Sequence, residues 1–189
     1  MGATENAASH RRLTVPPRPP LPYDFLPEVP ALTVESDDVR DGQTLAETHV
    51  FDGWGMTGRN VSPHLRWSGA PEETRSYAVT CFDPDAPTGS GFWHWLLYDI
   101  PAGVTELPSG AGTADTAFGV HGRNDYSSRE YGGAAPPPGA PHRYVFAVHA
   151  LGVEKLGLDA DTPPAVVGFN ITANTLARGY VVPEYGVSG

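Results

Sequence analysis

Three long apolar stretches dominate the hydrophobic pattern of the chain. They are Ser76–Phe82, Trp93–Ile100 and Arg143–Leu151, and they are rich in β-branched and aromatic residues. Apolar side chains stand at nearly every position in them, rather than at every second one. The pattern therefore predicts β-strands that are covered on both faces.

Weaker patterns between these stretches predict shorter elements. Thr162–Pro164 has the composition of a helix start, with Thr as the cap and Pro in the first turn, and Arg178–Gly179 has that of a helix end. Short runs of apolar residues flanked by turn residues predict three brief strands, at Ala31–Val34, Thr48–Phe51 and Val181–Val182. Ser62–Pro63 is predicted to hold the chain extended before Leu65–Trp67.

Composition favours short elements throughout. The 189 residues include 20 Pro and 22 Gly, which interrupt helices, so a mainly β chain of short strands and structured loops is expected. The length suits one domain, which we assign to residues 23–189. Residues 1–22 contain the run PPRPPLP and are predicted to form a flexible, Pro-rich arm. The alternative is that this arm is a ligand for a partner domain.

Charge and cysteine content exclude several classes of function. The net charge is −10 and no basic run exists, so nucleic acid is excluded as a partner, although a local anion site is not. The single cysteine, Cys81, lies in a predicted buried strand and can form no intrachain disulfide. No apolar run approaches the roughly 18 residues of a membrane span. A cytoplasmic location is the default expectation.

Candidate chemistry is concentrated in two stretches, Asp83–Asp99 (DPDAPTGSGFWHWLLYD) and Pro136–Tyr144 (PPPGAPHRY). Prolines beside the aspartates restrict the backbone and hold the carboxylates rigidly. Asp83 ends one predicted strand, whereas His94 and His142 each stand where another begins. If the strands are neighbours and antiparallel, all three side chains would lie at one edge of a sheet.

Each of these side chains also has a structural interpretation. The aspartates could cap turns, and His94 and His142 could be core residues, as we expect for His149 in the middle of its strand. For Asp85 we expect a bracing role, with Asp83 facing a ligand. A cluster of Asp and two His could bind an anion or transfer protons. A metal would need ligands from three separate segments, so no metal is predicted.

The chemical motifs resemble those of the phosphatidylethanolamine-binding protein family, also called Raf kinase inhibitor-like proteins, in its bacterial branch. The resemblance covers roughly residues 25–180 and departs from the usual pattern at Ser127 and Ala135, where glycine is common. The matching motifs are Asp83–Pro87, Trp93–Trp95, Gly132–Gly139 and His142–Tyr144, supported by Ser62–Pro63 with Trp67, Gly122–Asp125 and Val167–Asn170.

The resemblance implies a mainly β fold, with a large, antiparallel-rich sheet packed with a smaller sheet and with short peripheral helices. It also implies a pocket for phosphate-like anions, such as phosphorylethanolamine head groups, or for acetate. A protein partner such as a kinase, and a homodimer, are further possibilities. Carried over by position, the ligand-binding residues are Asp83, Pro87, His94, Pro136, His142 and Tyr144.

Three hypotheses about function follow. The favoured one is a binding module for a small anionic ligand, which could regulate a partner. The alternative is an enzyme, a cyclase, isomerase or hydrolase, that uses His94, His142, Asp83 and Tyr144 for acid–base catalysis. The third is a protein that binds partners through the arm. The sequence contains no P-loop, dinucleotide fingerprint or serine nucleophile motif, so no cofactor is predicted.

Overall fold

The computed structural model describes residues 18–115 and 117–188. Its largest element is a five-stranded sheet in which every neighbouring pair is antiparallel. In spatial order, the strands are β6 (Val120–His121), β4 (Phe92–Pro101), β3 (Ser76–Asp83), β8 (Val145–Leu151) and β9 (Thr175–Val181).

Smaller elements surround this sheet. A three-stranded antiparallel sheet consists of β1 (Thr33–Glu35), β2 (Leu65–Ser68) and β5 (Glu106–Leu107), and a two-stranded one of β7 (His142–Arg143) and β10 (Glu184–Tyr185). The helices are α1 (Pro164–Asn174) and two 3-10 turns, Pro22–Asp24 and Glu47–His49. The predicted fold class, mainly β with a large sheet, a smaller sheet and peripheral helices, is confirmed. No helix in the described ranges is long and apolar enough to cross a membrane.

The central strands are buried on both faces, as the apolar runs predict. Along β3, Val79 and Cys81 join a large core cluster with side chains of the three-stranded sheet, such as Trp67. Ala78 points to the other face, where it packs in a second cluster with Ile171 of α1. Full burial of one large apolar side chain stabilises the fold by about 1.5–3 kcal/mol. The alternation of side chains along the strands thus gives the sheet two different faces.

The predicted helix end at Arg178–Gly179 is wrong. The helix ends at Asn174, and the chain continues directly as β9, which pairs with β8. Ala177, Gly179 and Val181 are the buried positions of β9, so the burial there has the period of a strand. The expected Thr162 cap is also absent, since Pro163 occupies the capping position and supplies no side-chain hydrogen bond.

The third apolar run begins its strand later than predicted. His142–Arg143 pairs with Glu184–Tyr185, and only Val145 onwards joins the large sheet. Tyr144 marks the change, because its backbone N–H donates to the Pro183 carbonyl. The C-terminal segment therefore takes the start of this run away from the large sheet.

Two short predicted strands are also replaced. Within 48–51, the amides of His49 and Val50 bond to carbonyls three residues back, which forms a 3-10 turn, and Val50 makes only an isolated bridge to Ala134. Of the predicted strand at 181–182, only Val181 lies in a strand, as the last residue of β9, and a further strand, β10, follows.

Residues 1–17 of the predicted arm lie outside the described residues. The described remainder contacts the domain near its C-terminal segment. The Arg18 guanidinium donates to the Glu184 carboxylate and to the Pro141 carbonyl, and Arg143 donates to the Pro19 carbonyl. These contacts place the end of the arm beside the loop that contains Pro141.

Candidate functional site

The strand order brings the three sequence-predicted polar residues to one edge of the large sheet. The strands that follow the two motif-rich loops, β4 and β8, are not neighbours; β3 lies between them and is antiparallel to both. Asp83 at the end of β3 pairs with Phe92, and Phe82 pairs with Val145. The end of β3 is therefore flanked by the start of β4, which contains His94, and by the start of β8, which His142 of β7 closely precedes.

A cavity of about 620 Å³ opens at this edge, and we call it the sheet-edge cavity. This volume lies in the range of small-molecule sites. All six residues predicted from the sequence line it, namely Asp83, Pro87, His94, Pro136, His142 and Tyr144. The lining also includes side chains that sequence reasoning missed, chiefly Trp54, Met56, Phe92 and Tyr126.

Asp83 and His142 form a buried pair. The Nδ1 atom of His142 lies 2.7 Å from Oδ2 of Asp83, and the side chains are only 11% and 4% exposed. The other carboxylate oxygen accepts the backbone N–H of Asp85 at 2.8 Å. A carboxylate held on both sides in this way fixes the ring of His142 and places the proton on Nδ1.

His94 is fixed by backbone carbonyls instead. Its Nδ1 lies 2.9 Å from the Gly132 oxygen and 3.1 Å from the Gly133 oxygen. Because a carbonyl can only accept, Nδ1 must carry the proton. Burial lowers the pKa of His94, although Asp83 and the two carbonyls oppose the shift. His94 is therefore neutral near pH 7 in the absence of a ligand.

Tyr144 lines the sheet-edge cavity from a buried position. Its side chain is buried, and its hydroxyl has no hydrogen-bond partner among the described residues. Burial, and then the charge of Asp83, raise the pKa of this phenol, so it stays protonated. A buried hydroxyl without a partner is costly, and a ligand in the cavity could supply one.

Asp85 has the bracing role that the sequence predicts. Its carboxylate accepts three hydrogen bonds from Arg143, at 2.9 Å from the backbone N, 2.8 Å from Nε and 2.7 Å from Nη2. Burial opposes ionisation of Asp85, but these bonds outweigh it and lower its pKa. The pair ties the loop after β3 to β7, and so joins the two walls of the cavity.

The loop that follows β6 is ordered around Asn124. The Asn124 amide donates to the carbonyls of His94 and Glu130, and its oxygen accepts the N–H of Ser128. The Asp125 carboxylate accepts the N–H of Trp93 at 2.7 Å. The His94 carbonyl also accepts the N–H of Gly132 at 2.9 Å, so this network reaches the segment 132–133, whose carbonyls orient His94.

An aromatic cluster forms the mouth of the cavity. Tyr126 stacks on Phe51 with ring centroids 4.2 Å apart, and Trp54 packs on Tyr126 at 4.7 Å while remaining 69% exposed. Phe92 packs on His94 at 5.0 Å. In the sequence, these rings come from three separate segments, namely the loop with Phe51 and Trp54, the start of β4 with Phe92, and the loop with Tyr126. No single motif contains them all.

The fold and the cavity together define a mainly β protein with a ligand-sized pocket at the end of its central sheet. Within the described residues, no group of three or more His, Cys, Asp or Glu side chains could hold a metal ion. The family model described as phosphatidylethanolamine-binding protein matches residues 35–186. The chain belongs to this family.

Two relatives from Escherichia coli strain K12 are similar over most of their length. YbcL, a UPF0098 protein, is 46% identical over 168 residues, which cover 86% of this chain and 92% of YbcL. YbhB, also a UPF0098 protein, is 49% identical over 153 residues, which cover 79% and 97%. The crystal structure of YbcL, described as a new member of the mammalian family, superposes with a TM-score of 0.80 over 83% of this chain and 99% of that one.

Proposed function

We propose that the sheet-edge cavity binds a small anion, a phosphate ester or a carboxylate, between His94 and His142. The supporting observation is the state of the two rings. Both have Nδ1 occupied, by carbonyls and by Asp83 respectively. Within the described residues, neither Nε2 makes a hydrogen bond, so each ring has one nitrogen available to a ligand in the cavity.

Anion binding between these rings depends on their protonation. A neutral ring that carries its hydrogen on Nδ1 has only a lone pair at Nε2, which repels an anion. The Asp83 carboxylate adds a negative charge nearby. Binding of an anion therefore requires a proton on at least one imidazole, and the anion and the proton are taken up together.

Acetate tests this proposal because it stays ionised between pH 8 and pH 6. We expect calorimetry to give an affinity that rises as the pH falls, by up to about tenfold per pH unit where one proton is taken up. Phosphorylethanolamine tests the phospho-ligand version under the same conditions. Titrations in two buffers of different ionisation enthalpy count the protons directly.

A matched pair of variants locates the site. His142→Gln keeps a polar side chain but cannot become a cation, and it should weaken acetate binding at least tenfold. His149→Gln makes the same change on the opposite face of the sheet and should leave binding unchanged. Binding that is independent of pH, or equal in the two variants, would contradict the proposal.

Acid–base catalysis in the same cavity is the second candidate. The Asp83–His142 pair favours it, because a carboxylate that accepts from Nδ1 leaves Nε2 as a base. Tyr144 adds a protonated hydroxyl. Turnover of a candidate substrate that persists in the His142→Gln variant would eliminate this alternative. Partner regulation and a homodimer stay predictions.

A further inference from the structure

We propose that the protein has a second ligand site, on the other face of the large sheet, for a small uncharged molecule with an apolar body and one hydrogen-bond-accepting oxygen. The site is a cavity of about 300 Å³ between α1, β3, β8 and the 3-10 turn at Pro22–Asp24. We call it the helix-side cavity.

Alternation along the strands separates the two cavities. Thr80 and Phe82 of β3 line the helix-side cavity, whereas Asp83 lines the sheet-edge cavity. On β4, Trp93 lines the helix-side cavity and His94 lines the sheet-edge cavity. Because neighbouring residues of a strand point to opposite faces, a ligand in one cavity does not contact the other.

The polar end of the helix-side cavity is a hydrogen-bond chain with a defined direction. The Thr175 hydroxyl donates to the Ile171 carbonyl at 2.7 Å, so it can only accept from His149 Nδ1 at 3.3 Å. Nδ1 therefore carries the proton, and Nε2 accepts from the Tyr23 hydroxyl at 3.4 Å. Both bonds of His149 are long, and the hydrogen of Tyr23 is already in use.

The Thr80 hydroxyl takes no part in this series of hydrogen bonds. Its hydroxyl is buried, with 1% of the residue exposed, and it has no hydrogen-bond partner among the described residues. It lies close enough to Tyr23 to favour the ionised phenol, yet the two hydroxyls do not reach hydrogen-bond geometry. A buried donor without an acceptor is costly. An oxygen atom of a ligand would satisfy it.

The charge state of the cavity selects a neutral ligand. Burial, reinforced by the Arg178 cation, lowers the pKa of His149 to about 3, and burial raises the pKa of Tyr23 to about 12. The Arg178 guanidinium stacks over the Tyr23 ring, 4.4 Å from its centroid, and does not line the cavity. The groups that face the ligand are therefore uncharged near pH 7, and an ion that entered would lose its hydration without a partner.

The remaining walls are apolar and partly open to solvent. Phe82 and Trp93 pack against each other with ring centroids 4.7 Å apart, and Ile171 closes the side toward the helix. Phe169 stands at the mouth and is 73% exposed. An apolar cavity with one unsatisfied polar group is typical of a site for a small organic molecule.

Benzyl alcohol and toluene form a suitable pair of probes, since they differ by one hydroxymethyl oxygen. In heteronuclear NMR titrations of the whole chain, benzyl alcohol should shift the Trp93 indole and the Gly168 amide. The amides of Gly132 and Gly133 at the sheet-edge cavity should not move. Thr80→Val keeps the shape of the side chain. It should weaken the binding of benzyl alcohol about five- to tenfold and leave the binding of toluene unchanged.

A plug and its control complete the test. Ala165 lines the cavity on the exposed first turn of α1, and Ala165→Phe should abolish the shifts. Ala173→Phe makes the same change on the same helix outside the cavity and should preserve them. Shifts that survive the Ala165→Phe plug, or that fall on the sheet-edge cavity instead, would overturn the proposal. If the affinity for toluene fell in Thr80→Val by as much as the affinity for benzyl alcohol, the proposed role of the Thr80 hydroxyl would be overturned.

Discussion

The two cavities lie on opposite faces of one sheet, yet their polar groups are held in opposite ways. In the sheet-edge cavity, the Asp83 carboxylate is paired with His142, and loop carbonyls orient His94. In the helix-side cavity, Tyr23 and His149 are neutral and joined by one long hydrogen bond. On the sheet-edge face, an ion pair and loop carbonyls hold the polar groups. On the helix-side face, strands, a helix and burial hold them.

This difference explains why one scaffold can offer two kinds of site. The sheet fixes which residues face each side. The loops and the helix that cover the two faces decide how far the polar groups there are shielded from water. On the sheet-edge side, the Asp85–Arg143 pair ties the loop after β3 to β7. On the other side, an apolar helix surface excludes charge. Changes to charge and to pH should therefore affect the two sides unequally.

The largest effect should come from breaking the brace. Asp85→Asn removes the charge from a pair whose side chains are only 15% and 9% exposed. Loss of the Asp85 charge leaves a mostly buried guanidinium without its partner, and we expect the free energy of unfolding in urea to fall by about 2–3 kcal/mol. Acetate binding should weaken as well, because the brace positions both walls of the sheet-edge cavity.

Asp161→Asn is the matched control for Asp85. Asp161 also pairs with an arginine, Arg129, but both side chains are at least half exposed. Surface pairs contribute less than about 1 kcal/mol, so this variant should unfold nearly as the parent does. Equal losses in the two variants would show that the Asp85 pair is not a special brace.

The second effect should appear in the pH dependence of stability, on the helix side. The pKa of His149 falls from 6.5 to about 3 on folding. Below pH 6.5 the unfolded chain binds this proton and the folded chain does not, so stability is lost as the pH falls through that window. We expect a loss of about 2 kcal/mol from this residue between pH 7 and pH 5.

His149→Gln isolates that contribution. The variant keeps a hydrogen-bonding side chain beside Tyr23 but cannot titrate, so its unfolding free energy should depend less on pH. The slope should not vanish, because burial also lowers the pKa of His94, which acts in the same direction. Identical pH profiles of the parent and the variant would contradict this assignment to the helix side.

Several features of the sheet-edge side could be predicted from residues alone. Dense apolar runs predicted strands covered on both faces, and the buried Cys81 agrees with that. The prolines beside Asp85 predicted a rigid loop, and the Arg143 pair supplies it. These predictions depend on local stereochemistry, which a sequence carries directly.

Features that depend on spatial order could not be predicted in the same way. Nothing in the sequence states that β3 lies between β4 and β8. The predicted helix was too long because helical spacing continues into β9, where pairing with β8 overrides it. The helix-side cavity was missed because Tyr23 and His149 are more than a hundred residues apart and neither belongs to a motif.

The smallest effect should come from a single strained turn on the sheet-edge side. Ser127 has a φ of 65°, in the left-handed region, and its N–H donates to the Asn124 carbonyl. Glycine adopts this conformation without a steric cost but has more freedom in the unfolded chain, so Ser127→Gly should stabilise the protein by about 0.5 kcal/mol. Ser127→Ala keeps the strained Cβ and should give no gain in the same urea titration. A gain in both variants would mean that the hydroxyl, and not the backbone, is the source of the strain.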